Sequence, residues 1–238
     1  MSTLRRSVRD RIATMALPAV RRAAGVQDRL DPATGAVALT FDDGPDPRFT
    51  PLILDVLADA RVLATFFVTG DQAASHSGLV RRIVNEGHAL GTHSQSHAHP
   101  LSLGYRDLAE EYRGGRRAVE AVVGAPVPLF RPPNGYLDPV GAVAIRVNRL
   151  RPWLWTVDPR DWRPGVRPEE IAASVSALAA GDVVLLHDGL RQPPAPESED
   201  RSATMEAVAL IIERGRQMGL GFLPLPAEPS ESPSPKYV

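Results

Sequence analysis

The chain has 238 residues and a formal net charge of −1, so it is long enough for one large domain and carries no global field that would draw a nucleic acid. It contains no cysteine, which excludes disulfides and thiolate metal sites and leaves His, Asp and Glu as the strong metal ligands. Lys236 is the only lysine, so Schiff-base chemistry on a lysine is in effect excluded.

Residues 1–30 are rich in arginine (Arg5, Arg6, Arg9, Arg11, Arg21, Arg22, Arg29), with Leu4, Val8, Ile12 and Met15 at helical spacing until Pro18 interrupts the run. This pattern describes a basic amphipathic helix that either caps the domain or lies on an anionic membrane face. The segment lacks the apolar core of about 7–15 residues that a secretory signal needs, and nowhere is there an apolar run of about 18 residues. The expectation is a cytoplasmic chain, membrane-associated if residues 1–30 bind lipid.

From Ala36 onward short apolar runs alternate with helical periodicity. Strands are expected at 36–42, 64–69, 89–93, 128–131, 153–157, 182–187 and 221–225. Helices are expected near 50–60, 76–86, 105–123, 138–148, 167–180 and 203–218, with start signals such as Thr50-Pro51 and Arg167-Pro168-Glu169-Glu170. Continuous apolar strands separated by helices indicate a parallel sheet buried on both faces, and seven such repeats favour a barrel. Residues 189–202 read as a loop that can rim the face where strands end, and the Pro- and Ser-rich tail 227–238 reads as disordered. The expected organisation is an N-terminal segment 1–30, a single α/β barrel over 31–226, and the tail.

Five polar clusters fall at the C-terminal ends of expected strands, and in a parallel barrel those ends share one face. The first is Thr40-Phe41-Asp42-Asp43-Gly44-Pro45. Alone it reads as a polar turn, but two adjacent carboxylates also suit a site where a cation takes one and proton transfer uses the other. The second, His93-Ser94-Gln95-Ser96-His97-Ala98-His99, places two imidazoles four residues apart, and a carboxylate from elsewhere completes a His/His/Asp metal set. The third, Arg131-Pro132-Pro133-Asn134-Gly135, offers a guanidinium that can hold a carboxylate and, in a loop stiffened by proline, amides that can face an oxyanion. The fourth and fifth are Asp158-Pro159-Arg160-Asp161-Trp162 and Leu185-Leu186-His187-Asp188. His187 is either a satisfied core histidine or a general acid, and Asp161 is the carboxylate that would raise its pKa. His88 and His99 are expected to be surface or loop histidines.

The ordered motifs TFDDGP, HSxxH, RPPNG, DxxDW and LLH, together with Thr50-Pro51-Leu52-Ile53-Leu54-Asp55 and Ala64-Thr65-Phe66-Phe67-Val68, resemble the polysaccharide deacetylase family of carbohydrate esterases over about residues 36–225. The resemblance implies a single-domain distorted (β/α)7 barrel and a hydrolase acting on carbon–nitrogen bonds other than peptide bonds. It would remove an N-acetyl group from an amino sugar or glycan by attack of metal-bound water. Carried over by position, it makes Asp43, His93 and His97 ligands of a divalent metal, zinc in most members and cobalt or nickel in some. Asp42 would be the base, oriented by Arg131; His187 would protonate the departing amine, tuned by Asp161. The backbone of Asn134 would serve the oxyanion, and Trp162 and Leu185 would wall the acetyl pocket. The chain departs from the family pattern at Asn134, where an aromatic is usual, and at Thr92, where Asn is common. The absence of an export signal points to a soluble or lipid-linked glycan or a small acylamino metabolite, deacylated or deformylated at the inner membrane face. A carbohydrate-binding barrel without catalysis is the third reading. Oligomeric state is not legible.

Overall fold

The structure is a computed structural model and describes residues 18–227. The N-terminal expectations on residues 1–17 and most of the tail lie outside the described residues. A helix, α1, occupies residues 18–24, with Pro18 its first described residue. Val20 and Ala24 are buried against Leu108, Tyr112 and Phe130, and the Leu30 amide donates to the Gly181 carbonyl. Packing on the barrel therefore begins before residue 31. Among the described residues no helix is long and apolar enough to cross a membrane.

Seven parallel strands follow: β1 (Ala36–Asp42), β2 (Thr65–Val68), β3 (Ala89–Thr92), β4 (Leu129–Phe130), β5 (Arg151–Pro152), β6 (Val183–His187) and β7 (Gly221–Phe222). Their ladder runs β5-β4-β3-β2-β1-β6, with β7 pairing the first two residues of β1. The helices are α2 (Thr50–Ala60), α3 (Gly70–Ser75), α4 (Ser77–Asn85), α5 (Tyr105–Val123), α6 (Pro139–Val147), α7 (Pro168–Ser174) and α8 (Ser202–Gln217). The result is a curled parallel sheet wrapped by helices, a distorted (β/α)7 barrel.

The strand expected at 221–225 is confined to Gly221–Phe222, and two further expected elements come out differently. The strand expected at 153–157 is not a regular strand: β5 is limited to Arg151–Pro152 beside β4. The chain after it changes neighbours. The amides of Thr156 and Val157 donate to the Val183 carbonyl, and the Leu185 amide donates to that of Val157. This segment thus links the two edges of the sheet, and it cannot keep one ladder while changing partners. The helix expected over 167–180 stops at Ser174.

Strand β1 explains how the core and the site coexist. Its seven residues are all buried, and alternate ones face opposite sides. Val37, Leu39 and Phe41 pack outward with Ile53, Leu54 and Leu57 of α2 and with Val208 and Ile211 of α8. Ala38 joins Phe67, Leu129, Trp153 and Val183 in the barrel interior. Each fully buried Val, Leu, Ile or Phe side chain contributes about 1.5–3 kcal/mol. Thr40 and Asp42 share the parity of Ala38, which aims the carboxylate inward.

Helix α3 is too short for a periodic signal, yet it anchors the loop after β3: the Gly70 and Asp71 amides donate to the Ser94 and Gln95 carbonyls. From the other side Glu111 of α5 accepts from Ser96 N and Oγ at 3.0 Å each. Gly115 of α5 allows this approach, because a β-carbon there would lie 2.3 Å from the Ser94 carbonyl oxygen. Gly115→Ala gains up to about 1 kcal/mol of helix propensity. Against backbone that cannot yield, the expected net loss is about 1–3 kcal/mol. A thermal melt below wild type checks this, and an equal or higher melting temperature contradicts it.

Candidate active site and metal centre

All five clusters meet at one end of the barrel, around a cavity of about 370 Å³. Asp42, Asp43, His93, His97, Asn134, Trp162, Leu185 and His187 line it. Arg131 and Asp161 stand behind that lining, 0% and 1% exposed.

Strand β1 ends at Asp42, and Asp43 turns the chain with φ 74°, a conformation that Asp tolerates better than most residues. The loop after β3 is not helical, since Ser94 and His97 have φ of 65° and 63°. The Ser94 hydroxyl accepts the His97 amide at 3.0 Å. This loop places the His93 and His97 rings 4.9 Å apart. Asp43 Oδ1 lies 3.4 Å from His93 Nε2 and 3.2 Å from His97 Nε2.

The protonation of His93 follows from its neighbours. His93 Nδ1 sits 2.7 Å from the Arg131 carbonyl, which can only accept, so Nδ1 carries the proton and the Nε2 lone pair faces Asp43. Burial, reinforced by His97, drives the His93 pKa down to about 3 although Asp43 pulls it up, which keeps the ring neutral. Asp43 Oδ2 accepts the Arg191 amide at 2.9 Å, while Oδ1 is buried with no hydrogen-bond partner. A bare carboxylate oxygen facing a bare imidazole nitrogen calls for a cation between them. Asp43, His93 and His97 offer one ligand atom each, all within 4.8 Å of one another, and so fit a divalent metal.

Arg131 spends its guanidinium on four acceptors. Nη1 donates to Asp42 Oδ1 and Thr40 Oγ1 at 2.8 Å each, Nε to the Trp153 carbonyl at 3.1 Å and Nη2 to the Leu154 carbonyl at 3.0 Å. Its cation also lies over the Phe67 ring at 4.3 Å. Burial raises the Asp42 pKa above its ordinary value even against the pull of Arg131. On the opposite wall His187 Nδ1 pairs with Asp161 Oδ1 at 2.8 Å. Burial alone would lower the His187 pKa, but Asp161, and more weakly Asp43 and Asp42, lift it to about 9.

The cavity is also lined by Gly135 and by Trp155, Asp158, Leu190, Gln192 and Pro194, the last five of which were assigned no site role from the sequence. Loop 189–202 does rim the face, and Gln192 Nε2 donates to the His97 carbonyl at 3.2 Å. Asp188 is fully buried, held by the Thr50 hydroxyl at 2.5 Å, and pushed by burial to a pKa of about 7. The Gly135 amide is unavailable to an oxyanion because it donates to the Pro132 carbonyl. His88 is a loop histidine, immediately before β3, but not a surface one: it is 6% exposed and its Nδ1 accepts the Ala64 amide at 3.1 Å. His99 Nδ1 caps a short turn by accepting from Leu101 N.

The family profile described as polysaccharide deacetylase matches residues 29–146. A peptidoglycan-N-acetylglucosamine deacetylase of Bacillus cereus is 38% identical over 191 residues, 79% of this chain and 84% of the relative. A chitooligosaccharide deacetylase of Bradyrhizobium is 38% identical over 202 residues, 81% of this chain and 90% of the relative. A solved family 4 carbohydrate esterase from Streptomyces lividans, in complex with acetate, superposes with a TM-score of 0.70 at 31% identity, covering 79% of this chain and 91% of that one. The chain therefore belongs to the polysaccharide deacetylase family, whose members are metal-dependent carbohydrate esterases.

If the trio holds the metal, His93→Ala and His97→Ala each abolish stoichiometric zinc binding in a calorimetric titration while the fold survives. Zinc at about a hundred times its Kd should stabilise the wild type by about 2.7 kcal/mol. Unchanged zinc affinity in both variants would contradict the ligand assignment.

Proposed function

We propose that the protein releases acetate from N-acetylated amino sugars within a glycan, with Asp42 as base and His187 as acid. The observation that carries this reading is that the Asp43/His93/His97 trio, a carboxylate clamped by arginine and an imidazole paired with a carboxylate line the same cavity. The relatives named for chitooligosaccharide and for peptidoglycan N-acetylglucosamine support that substrate class.

Zinc is the metal in this reading, with cobalt or nickel as substitutes; when bound, it polarises the acyl carbonyl and lowers the pKa of water from about 16 toward about 7. Asp42 accepts the proton of the attacking water. Arg131 occupies Oδ1, leaving Oδ2, which lies 3.9 Å from His93 Nε2, for that task. The raised pKa makes Asp42 a better base than an exposed carboxylate. The Asn134 backbone amide faces the oxygen that gains charge. Trp162 and Leu185 flank the acetyl methyl, and the sugar extends toward Trp155, Asp158 and Gln192. An amine leaves only when protonated. With a pKa of about 9 His187 carries both ring protons at neutral pH, one held by Asp161 and the other on Nε2 for the leaving nitrogen.

Acetate release from N-acetylglucosamine oligomers of graded length, by chelated enzyme resupplied with zinc, cobalt or nickel, tests the reading. Metal-restored release is expected, and none with any oligomer despite bound metal would refute it. Asp42→Asn should lower kcat roughly 10²–10⁴-fold without loss of zinc binding.

The rate should fall at high pH as His187 loses its proton near pH 9. Asp161 is the largest upward influence on that proton, so Asp161→Asn should shift the alkaline limb to lower pH, toward the ordinary histidine value of about 6.5. A limb that stays put would separate His187 from the acid role.

A further inference from the structure

Asp161 is held by more than His187. Its Oδ1 meets His187 Nδ1 at 2.8 Å, and its Oδ2 accepts from the His187 amide and from the Thr204 hydroxyl, each at 2.9 Å. Its backbone carbonyl accepts Arg201 Nη1 at 2.9 Å, and Arg201 Nη2 donates to the Ser198 carbonyl. Arg201 is 2% and Thr204 0% exposed. Neither touches the cavity. Thr204 lies in the first turn of α8, and Arg201 immediately precedes the helix.

We propose that Thr204 and Arg201 are positioning residues for the proton donor His187, acting through Asp161. The inference rests on the function proposed above. A carboxylate held at one oxygen can rotate about its Cβ–Cγ bond, and rotation would break the alignment of Oδ1 with Nδ1. Two donors on Oδ2, one from the main chain and one from the Thr204 side chain, fix the plane of the group. Arg201 fixes the peptide that carries it, and its charge favours the ionised form that an imidazolium partner requires. The N-terminal end of α8 is thereby tied to the proton-transfer half of the site, about forty residues along the chain from Asp161. A buried threonine hydroxyl can also serve packing alone, so the test must separate alignment from stability.

Thr204→Val removes the donor while keeping the shape, and Thr204→Ser restores it. The reading is the ratio of turnover on an N-acetylglucosamine oligomer to turnover on para-nitrophenyl acetate, whose leaving phenolate needs no proton. Damage to the metal or to Asp42 lowers both rates, whereas misalignment of His187 lowers the amide rate. The ratio is expected to fall at least about tenfold in Thr204→Val, part of the roughly 10²–10⁴ that a general acid provides. It should return to within about threefold of wild type in Thr204→Ser. A wild-type ratio in Thr204→Val, or a serine variant as impaired as the valine one, overturns the proposal. Should Thr204→Val fail to fold, Arg201→Lys, which keeps the charge and loses the fork, is judged by the same ratio, with a fall expected and a wild-type value overturning.

A second readout needs no turnover. The His187 Nδ1 proton, held against Asp161, should give a sharp downfield NMR resonance in zinc-loaded wild type and Thr204→Ser that is lost to exchange in Thr204→Val. An unchanged resonance in the valine variant also overturns the proposal. Wild-type protein that releases no acetate from any N-acetyl sugar would sink the proposed function alone, leaving the resonance to judge Thr204.

Discussion

The Arg131 guanidinium is the constraint on which the rest of the site depends. A fully buried cation is costly unless its donors and charge are met, and here they are met by Asp42, Thr40 and the carbonyls of Trp153 and Leu154. These partners come from β1 and from the segment that joins the edges of the sheet, so one side chain ties barrel closure to the orientation of Asp42, the proposed base. The Arg131 carbonyl, in turn, fixes the tautomer of His93. Removing one partner of such a buried pair typically costs about 3–5 kcal/mol, because the other charge is left uncompensated.

The two halves of the cavity are tuned in opposite directions by the same physics. At the candidate metal trio burial keeps His93 neutral and its lone pair available, although Asp43 is adjacent. On the opposite wall burial also opposes charge, but the carboxylate of Asp161, 2.8 Å away, outweighs it and keeps His187, the proposed acid, protonated. The difference lies in the partner of Nδ1: a neutral carbonyl for His93, a carboxylate for His187.

Much of this was legible in the sequence because the informative residues are short-range signals. Strand β1, α2 and α5 fall where a continuous apolar run, a Thr-Pro start and a long amphipathic period place them. The candidate site residues stand at or just after strand ends, where a parallel barrel must gather them. Elements whose cause is tertiary were not legible. Helix α3 has six residues and no side-chain cap, and it exists because the loop after β3 accepts its first amides. Residues 153–157 are apolar like a strand but change partners midway. Arg191, Gln192, Arg201 and Thr204 support the site through main-chain atoms or through residues far away in sequence, which no local pattern encodes.

The central claim is that Arg131 serves the reaction through Asp42, and a double-mutant cycle on acetate release tests it most directly. Arg131→Lys, Asp42→Asn and the double variant would be compared in zinc-loaded enzyme. If the arginine acts by holding the base, the double variant should turn over within about threefold of Asp42→Asn alone, since a group acting only through a lost partner has nothing further to lose. Losses that multiply would show that Arg131 contributes to catalysis independently of Asp42, and would contradict the account.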